Sequence, residues 1–467
     1  MSSRVSLCCL LALGCSGETL EPRAQTLLYI DTDAPLLGQL STSSDAPFAI
    51  AVDTLRIDRL DDAGAPVETR ELVVPAESDW PVSFGIVATS KVRFRLRAFR
   101  ADNAQAAADG TLTPSPGVAI DRLLEVTPGS AFERWQLTLS ADCFNAPANF
   151  RGSWSTCVDS GQLQGPVSAG LSPRAAAGAS ATQAGKNAHA QTLPCQGQPP
   201  AGSVCIPGGA SVLGEERLRL LASTTDESPA PVRAYAVSPF FLDRLEYTVG
   251  RLRQAIKSGK VTTVEPERRD PTLELQQLCS YVGPSDAASD DLPLNCVSFE
   301  TARALCQLAG GDLPSEAEWE FAARGRGYAY SFPWGDDYPL CCTADLERTV
   351  AGGSKTFCPG SGIEPVGSHP TAGACPTNDV SRDGVLDLGG SVTEWTLDTF
   401  RAYDDACWAE RGFLQDPACN DPTASAHTGR GSYYNAGRST AYAARRSQGF
   451  VGATVGFRCA YADGVAP

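Results

Sequence analysis

The stretch from Leu313 to Gly325, Leu-Pro-Ser-Glu-Ala-Glu-Trp-Glu-Phe-Ala-Ala-Arg-Gly, constrains the fold more than any other because it specifies a helix start, a buried face and a helix stop in one place. Pro314 keeps a helix from beginning earlier, Ser315 is a favourable N-cap, and Glu318 completes a capping box. The acidic first turn complements the helix dipole. Trp319, Ala322 and Ala323 fall at i, i+3 and i+4, so one face carries a large ring beside two small residues that let neighbouring backbone approach. Gly325 supplies a left-handed stop. So short a helix is marginal alone, and its Trp requires a surrounding domain.

A chain of 467 residues implies two to three domains, and a hydrophobic content of 42% is enough to build their cores. The formal charge of -16 argues against nucleic acid as a partner, since phosphate binding rests on clustered Lys and Arg. His189, His369 and His427 are scattered with no close pair, which excludes a histidine-built metal site of the HExxH kind.

Residues 1–15 read as an export signal: Arg4 is the positive start, Leu7 to Leu13 are apolar, and Leu11-Ala12-Leu13-Gly14-Cys15 has the form of a bacterial lipobox with Cys15 as the lipidated residue. A plain secretory signal is the alternative. The apolar run is too short to span a bilayer, and acylation of Cys15 would hold the chain on a lipid membrane instead. Of the 17 cysteines, Cys8, Cys9 and Cys15 belong to the signal. The even remainder, without zinc-like spacings, predicts disulfides formed in an oxidising compartment. The expected location is therefore membrane-anchored and exported, periplasmic or at the cell surface.

Residues 26–140 alternate with period two. Val92, Phe94, Leu96 and Ala98 are interleaved with Arg93, Arg95 and Arg97; Leu55 and Ile57, and Trp135, Leu137 and Leu139, repeat the pattern. Turn-rich gaps between them predict an antiparallel β-sandwich of immunoglobulin or fibronectin type, with the Arg stripe as a solvated outer face or edge. Residues 141–200 read as an Ala/Gly/Ser-rich connector. From Gly161 to Asn187 there is almost no large apolar residue, which predicts disorder, and Cys143 and Cys157 are placed to close a small loop. Beyond it, Thr248 and Ser298 are placed to cap two further helices, the first ending at Gly259 and the second at Gly310 and Gly311. The fold class is thus multidomain, an N-terminal all-β sandwich followed by a C-terminal α+β domain.

Around the capped helix stand further motifs. Cys205-Ile206-Pro207-Gly208-Gly209 and Ser238-Pro239-Phe240-Phe241 precede it; Phe332-Pro333-Trp334-Gly335-Asp336, Glu364-Pro365-Val366-Gly367, Asp387 to Thr396 and Gly456-Phe457-Arg458-Cys459 follow. In order and spacing, residues 201–462 resemble the formylglycine-generating enzyme family, also called the sulfatase-modifying-factor family. The resemblance implies a C-type-lectin-like domain rich in irregular structure. It also implies a disulfide joining Cys306 to Cys459.

The family's chemistry is oxidation of a substrate cysteine by O2 at copper(I) held by two cysteines. Soft thiolates suit that ion. At the matching positions this chain has Asn435 and, near the second, Thr440, and no Cys occurs between Cys419 and Cys459. Copper binding and formylglycine formation are therefore not expected. Resemblance also implies calcium, with Ser391 in place of the family's Asn, Glu394 in register, and Asp345 near a second calcium loop. Two functions follow. One is a non-catalytic surface module whose Tyr433, Tyr434 and Asn435, with Tyr442, bind a protein or glycan. The other is a metal-dependent oxidoreductase of the same family with an altered site, for which no histidine pair or paired carboxylate converges on Asn435 in the sequence.

Overall fold

The computed structural model describes residues 25–38, 48–87, 90–175, 181–222, 227–261, 278–349, 358–369, 375–408 and 411–464. Residues 1–15, expected to form an export signal ending at Cys15, lie outside them. No helix among the described residues is long and apolar enough to cross a membrane.

In the N-terminal part, strands β1 (Thr26–Thr32), β2 (Thr54–Leu60), β3 (Pro66–Val73), β4 (Val82–Ile86) and β5 (Val92–Phe99) are followed by the hairpin β6 (Ala104–Ala106) and β7 (Leu112–Pro114), then β8 (Ala119–Val126) and β9 (Glu133–Leu139). After β9 come the two-residue strands β10 (Ser155–Thr156), β11 (Gly165–Pro166) and β12 (Ser172–Pro173). Two four-stranded sheets result, ordered β12-β9-β1-β4 and β3-β2-β5-β8. The alternation read from the sequence sets which residues turn inward. Leu28 and Ile30 of one sheet and Leu55, Leu96 and Leu124 of the other lie in one buried apolar cluster. One pairing departs from the antiparallel expectation: β1 runs parallel to β9, from Thr26 opposite Glu133 to Thr32 opposite Leu139.

The Arg stripe is not a solvated face. Arg97 donates to Asp58 at 2.6 Å, Arg95 grips Asp121 through two bonds of 2.7 and 2.8 Å, and Arg93 reaches Glu125 at 3.1 Å. Arg93 and Arg95 are also covered by the rings of Trp154 and Phe150. Cross-strand acids and a returning loop therefore neutralise and shield a row of charge that would otherwise blunt the sheet.

Those two rings come from residues 141–200, so that segment is no loose connector. A Cys143–Cys157 disulfide closes it, β10 pairs with β11, and β12 adds to the edge of β9. Beyond residue 180, Thr182 donates to Asp31 at 2.5 Å, Asn187 donates to Asp142 at 2.9 Å, and Ala184 is buried in the core. Apolar content understated this segment's order because it is fixed mainly by hydrogen bonds to acids of the β-sheet region.

The C-terminal part contains β13 (Ser203–Ile206), β14 (Gly209–Leu213), β15 (Arg233–Val237) and β16 (Phe240–Asp243), helices α1 (Val249–Lys257), α2 (Phe299–Leu308) and α3 (Glu316–Ala323), then β17 (Thr393–Thr399), β18 (Leu414–Gln415), β19 (His427–Arg430), β20 (Arg446–Gln448), β21 (Val455–Gly456) and β22 (Ala460–Ala462). The strands form small sheets ordered β13-β16-β22, β14-β15-β18 and β20-β19-β17-β21. Thr248, Ser298 and Ser315 cap the three helices as their sequences predict, and Glu318 closes the capping box on α3. Residues Ala210, Val212, Val232, Ala234 and Ala236 of β14, β15 and the turn before β15 belong to the same apolar cluster as the N-terminal sheets. The two parts thus share a core rather than hanging on a tether.

All fourteen cysteines among the described residues are paired: Cys143–Cys157, Cys195–Cys205, Cys279–Cys296, Cys306–Cys459, Cys341–Cys358, Cys342–Cys375 and Cys407–Cys419. The Cys306–Cys459 bridge ties α2 to the turn before β22.

Candidate functional site

Helix α3 is the hub from which the site is built. Trp319 is fully buried, and its indole Nε1 donates to Glu394 at 2.8 Å. On the same face, Glu316 accepts from Arg446 at 2.7 and 2.9 Å, from Arg430 at 2.8 Å and from Tyr403 at 2.8 Å. Glu320 accepts from Arg430 at 2.6 Å, from Arg324 at 3.0 Å and from the Gly214 amide at 2.7 Å. The Glu316, Glu320, Arg430 and Arg446 side chains have no solvent exposure. Burial opposes the charge on Glu316, but Arg446 and Arg430 outweigh it and hold its carboxyl below the usual range. This network fixes Arg430 and hence the entry of the loop where a copper pair would stand. The acidic first turn accounts for Glu316 only as a dipole partner, but Glu316 and Glu320 lie one turn apart on the Trp319 face, which marks them as inward.

In the loop 430–440 the backbone turns through Gly431, at a φ of +81°, packed over the Trp319 ring. Thr440 is tied into the loop, with its Oγ1 2.5 Å from Ser432 Oγ and donating to the Gly437 carbonyl at 2.7 Å. Asn435 has a buried Oδ1 without a partner. Tyr434 is 2% exposed, held by its amide on the Ser391 carbonyl and by its carbonyl under the Arg348 amide. It is therefore a packing residue and not the open contact expected from the sequence. Cys419 and Cys459 are bonded to Cys407 and Cys306, so neither offers a thiol to this loop. Among the described residues one trio of metal-type side chains meets ligand spacing, Cys341, Glu347 and Cys358. Its two sulfurs are bonded to each other, and Glu347 is engaged by Arg438 at 2.9 Å. A disulfide is no thiolate pair, so this trio does not fit copper(I).

One of the expected calcium ligands, Glu394, is already spent. Arg458 takes both oxygens of Glu394, at 2.7 and 2.6 Å, beside the Trp319 indole, which leaves that carboxylate no role as a cation ligand. Asp345 faces Arg348, whose Nε is 3.1 Å from Oδ1 and donates to the Gly362 carbonyl at 2.9 Å, while the same guanidinium binds Glu364. The Nε hydrogen goes to that carbonyl, so Asp345 Oδ1 keeps no aligned donor, and burial pushes its carboxyl up to about 7.

Ser391 points elsewhere, in a left-handed conformation with φ +66° and a buried, unpartnered Oγ. It adjoins Glu246, which is 2% exposed and has no well-aligned donor at either carboxyl oxygen, although Ser391 and Asp387 face it. Asp387 accepts from the Gly367 amide at 2.5 Å and Asp379 from the Gly389 amide at 2.9 Å. Burial, reinforced by the neighbouring carboxyls, raises Glu246 strongly and pushes Asp379 up to about 8; burial also raises Asp387. Oxygen-only donors with orphaned lone pairs are what a hard cation requires. Glu246 carried no such signal in the sequence, because Asp387 lies far along the chain and the fold alone brings them together.

On the surface beside loop 430–440, aromatic rings form a shelf. Phe332 stacks on Trp334 at 5.4 Å and on Tyr442 at 4.7 Å, with Tyr338 edge-on and 53% exposed. Next to it Glu215, Arg217, Arg324, Tyr330, Ser331 and Tyr442 line a polar cavity of about 220 Å³. Of the aromatics first expected to make contacts, Tyr442 joins this surface and Tyr434 does not.

Residues 189–463 match the sequence profile of the sulfatase-modifying factor enzyme 1-like domain. The chain is 29% identical to the inactive C-alpha-formylglycine-generating enzyme 2 of Bos taurus over 45% of its own length and 74% of that protein's. It is 26% identical to the formylglycine-generating enzyme of Mycobacterium tuberculosis over 55% of this chain and 96% of the relative, and 30% identical to the hercynine oxygenase of Mycolicibacterium smegmatis over 43% and 46%. The solved structure of PvdO from Pseudomonas aeruginosa aligns with a TM-score of 0.41 and 20% identity, over 57% of this chain and 98% of that one. With its family profile covering more than half of the residues, this chain belongs to the sulfatase-modifying factor enzyme 1-like domain family.

Proposed function

We propose that this family member is a non-catalytic binding module. The observation that carries the reading is the state of its sulfur: every described cysteine is in a disulfide, and no Cys lies between Cys419 and Cys459, where the family resemblance matches Asn435 to the first copper ligand and puts Thr440 near the second. Amide and hydroxyl oxygens do not replace thiolates for copper(I). The resemblance to a relative whose name calls it inactive supports this reading. The three histidines do not rescue an oxidoreductase, since His189 neighbours Gln415, His369 neighbours Glu364 and His427 stacks on Phe299.

In this reading the N-terminal part is a β-sandwich fused to the module, and Cys15 anchors an exported chain to a lipid membrane. Seven disulfides support an oxidising compartment. The shelf of exposed Tyr338 with half-buried Trp334 and Tyr442 contacts a surface protein or glycan, because rigid aromatic faces bury area at little entropic cost. A calcium ion held by Glu246, Asp387 and Ser391 stiffens the loop below. The test is a copper(I) titration of the purified, disulfide-intact chain against a competing chelator. No stoichiometric, high-affinity site is expected; one copper per chain bound through thiolates overturns the reading.

A further inference from the structure

The N-terminal sheets do not close along their whole length. β4 is the last strand of its sheet and β3 the last of the other, and between them the apolar faces part to leave a cleft of about 400 Å³. Its walls are Ile57, Leu72, Phe84, Ile86 and Phe94, with Phe84 and Phe94 packed edge to face at 5.4 Å. Deeper in the same core Leu28, Ile30 and Leu96 are wholly buried, whereas Phe84 and Leu72 at the cleft are only half-buried. The mouth is charged by residues on the inward face: Arg59 and Arg70 stand on either side of Glu68, at 3.3 and 2.6 Å. Two guanidiniums share one carboxylate, so the rim keeps a net positive charge above an apolar hollow. Inward charges do blunt pairing at a sheet edge, but that task calls for no cavity behind them. The volume lies in the range that encloses one small ligand, and an apolar lining under a few convergent polar groups is the usual make-up of such a site.

We propose that this cleft binds a single-chain anionic amphiphile, a free fatty-acid-like carboxylate, with its alkyl tail between Ile57, Phe84 and Phe94 and its headgroup on Arg59 and Arg70. The carboxylate competes with Glu68 for the two guanidiniums, whose planar forks suit bidentate recognition. A two-chain lipid exceeds the space.

Equilibrium binding of radiolabelled dodecanoate to the purified full chain, below its micellar concentration, tests the site. One saturable site per chain is expected, with dodecanol binding about tenfold more weakly for want of the charged contact. Arg59→Gln with Arg70→Gln, both on exposed side chains, should weaken dodecanoate about tenfold and leave dodecanol unchanged. Glu68→Gln should tighten dodecanoate by freeing the pair. Val82→Trp, which fills the cleft from its lining, should abolish binding of both while the melting temperature stays near that of the parent. The proposal is overturned by absent saturable binding to the folded parent chain, by binding indifferent to both the Arg pair and Val82→Trp, or by binding to anionic vesicles without binding of monomeric dodecanoate.

Discussion

Arg458 and Glu394 meet through two hydrogen bonds of 2.7 and 2.6 Å with essentially no solvent at either side chain, and the pair joins β17 to the Gly-Phe-Arg-Cys turn. The guanidinium also holds the carbonyls of Asp243 and Leu386, so this one ion pair ties four segments together. Glu394→Ala should therefore lower stability by about 3–5 kcal/mol, because a buried guanidinium loses its counter-charge. Urea unfolding is the check. A loss below about 1 kcal/mol would mean that the pair is relaxed or hydrated in solution.

The Glu246 cluster makes stability depend on pH in a defined direction. With Glu246, Asp387 and Asp379 raised above free carboxyls, Asp379 to about 8, the folded chain holds protons that the unfolded chain has released. In the absence of a cation, stability should therefore fall as pH rises from about 4 through about 8, where Asp379 titrates. Calcium must displace those protons to bind. Millimolar calcium should accordingly raise the melting temperature more at about pH 8 than at about pH 5, and Glu246→Gln should remove most of that gain. An identical melting temperature with calcium and with chelator at both pH values would dismiss the ion.

Arg348 does a cation's work in the Asp345 turn, gathering the Gly362 carbonyl and two carboxylates. Arg348→Ala should cost about 2–3 kcal/mol, and Arg348→Lys should recover little of it, since a point charge cannot span the same oxygens. Thermal unfolding of the two variants distinguishes a guanidinium-specific role from simple charge balance.

The Cys306–Cys459 bridge closes the longest loop among the disulfides, a separation of 153 residues. Replacing both cysteines with alanine should destabilise the chain by about 2–5 kcal/mol. Denaturant midpoints measured with the other bridges intact provide the comparison.

What the sequence disclosed follows from how local each signal is. The caps Thr248, Ser298 and Ser315 and the stop at Gly325 are written within a few residues of the backbone groups they satisfy, and all were legible. The inward residues of β2, β5 and β9 were equally legible from alternation. The order of residues 141–175 and 181–200 was not, because Thr182 and Asn187 are fixed by Asp31 and Asp142, partners that no periodicity reveals. At the site, the absence of cysteine between Cys419 and Cys459 was plain, yet the fate of each carboxylate was not. Glu394 fell to Arg458, while Glu246, which carried no signal in the sequence, emerged with both carboxyl oxygens unpartnered and Asp345 with one. Which acid is neutralised by which arginine is a tertiary property, set by chain crossings.

The central claim is that this family fold is present without its redox chemistry, and turnover tests it most directly. The purified, disulfide-intact chain is incubated with copper, O2 and a Cys-x-Pro-x-Arg peptide, and aldehyde is trapped with a hydroxylamine probe and read by mass spectrometry. The account predicts no aldehyde above a protein-free control. Repeated turnover of the peptide by the chain would contradict it.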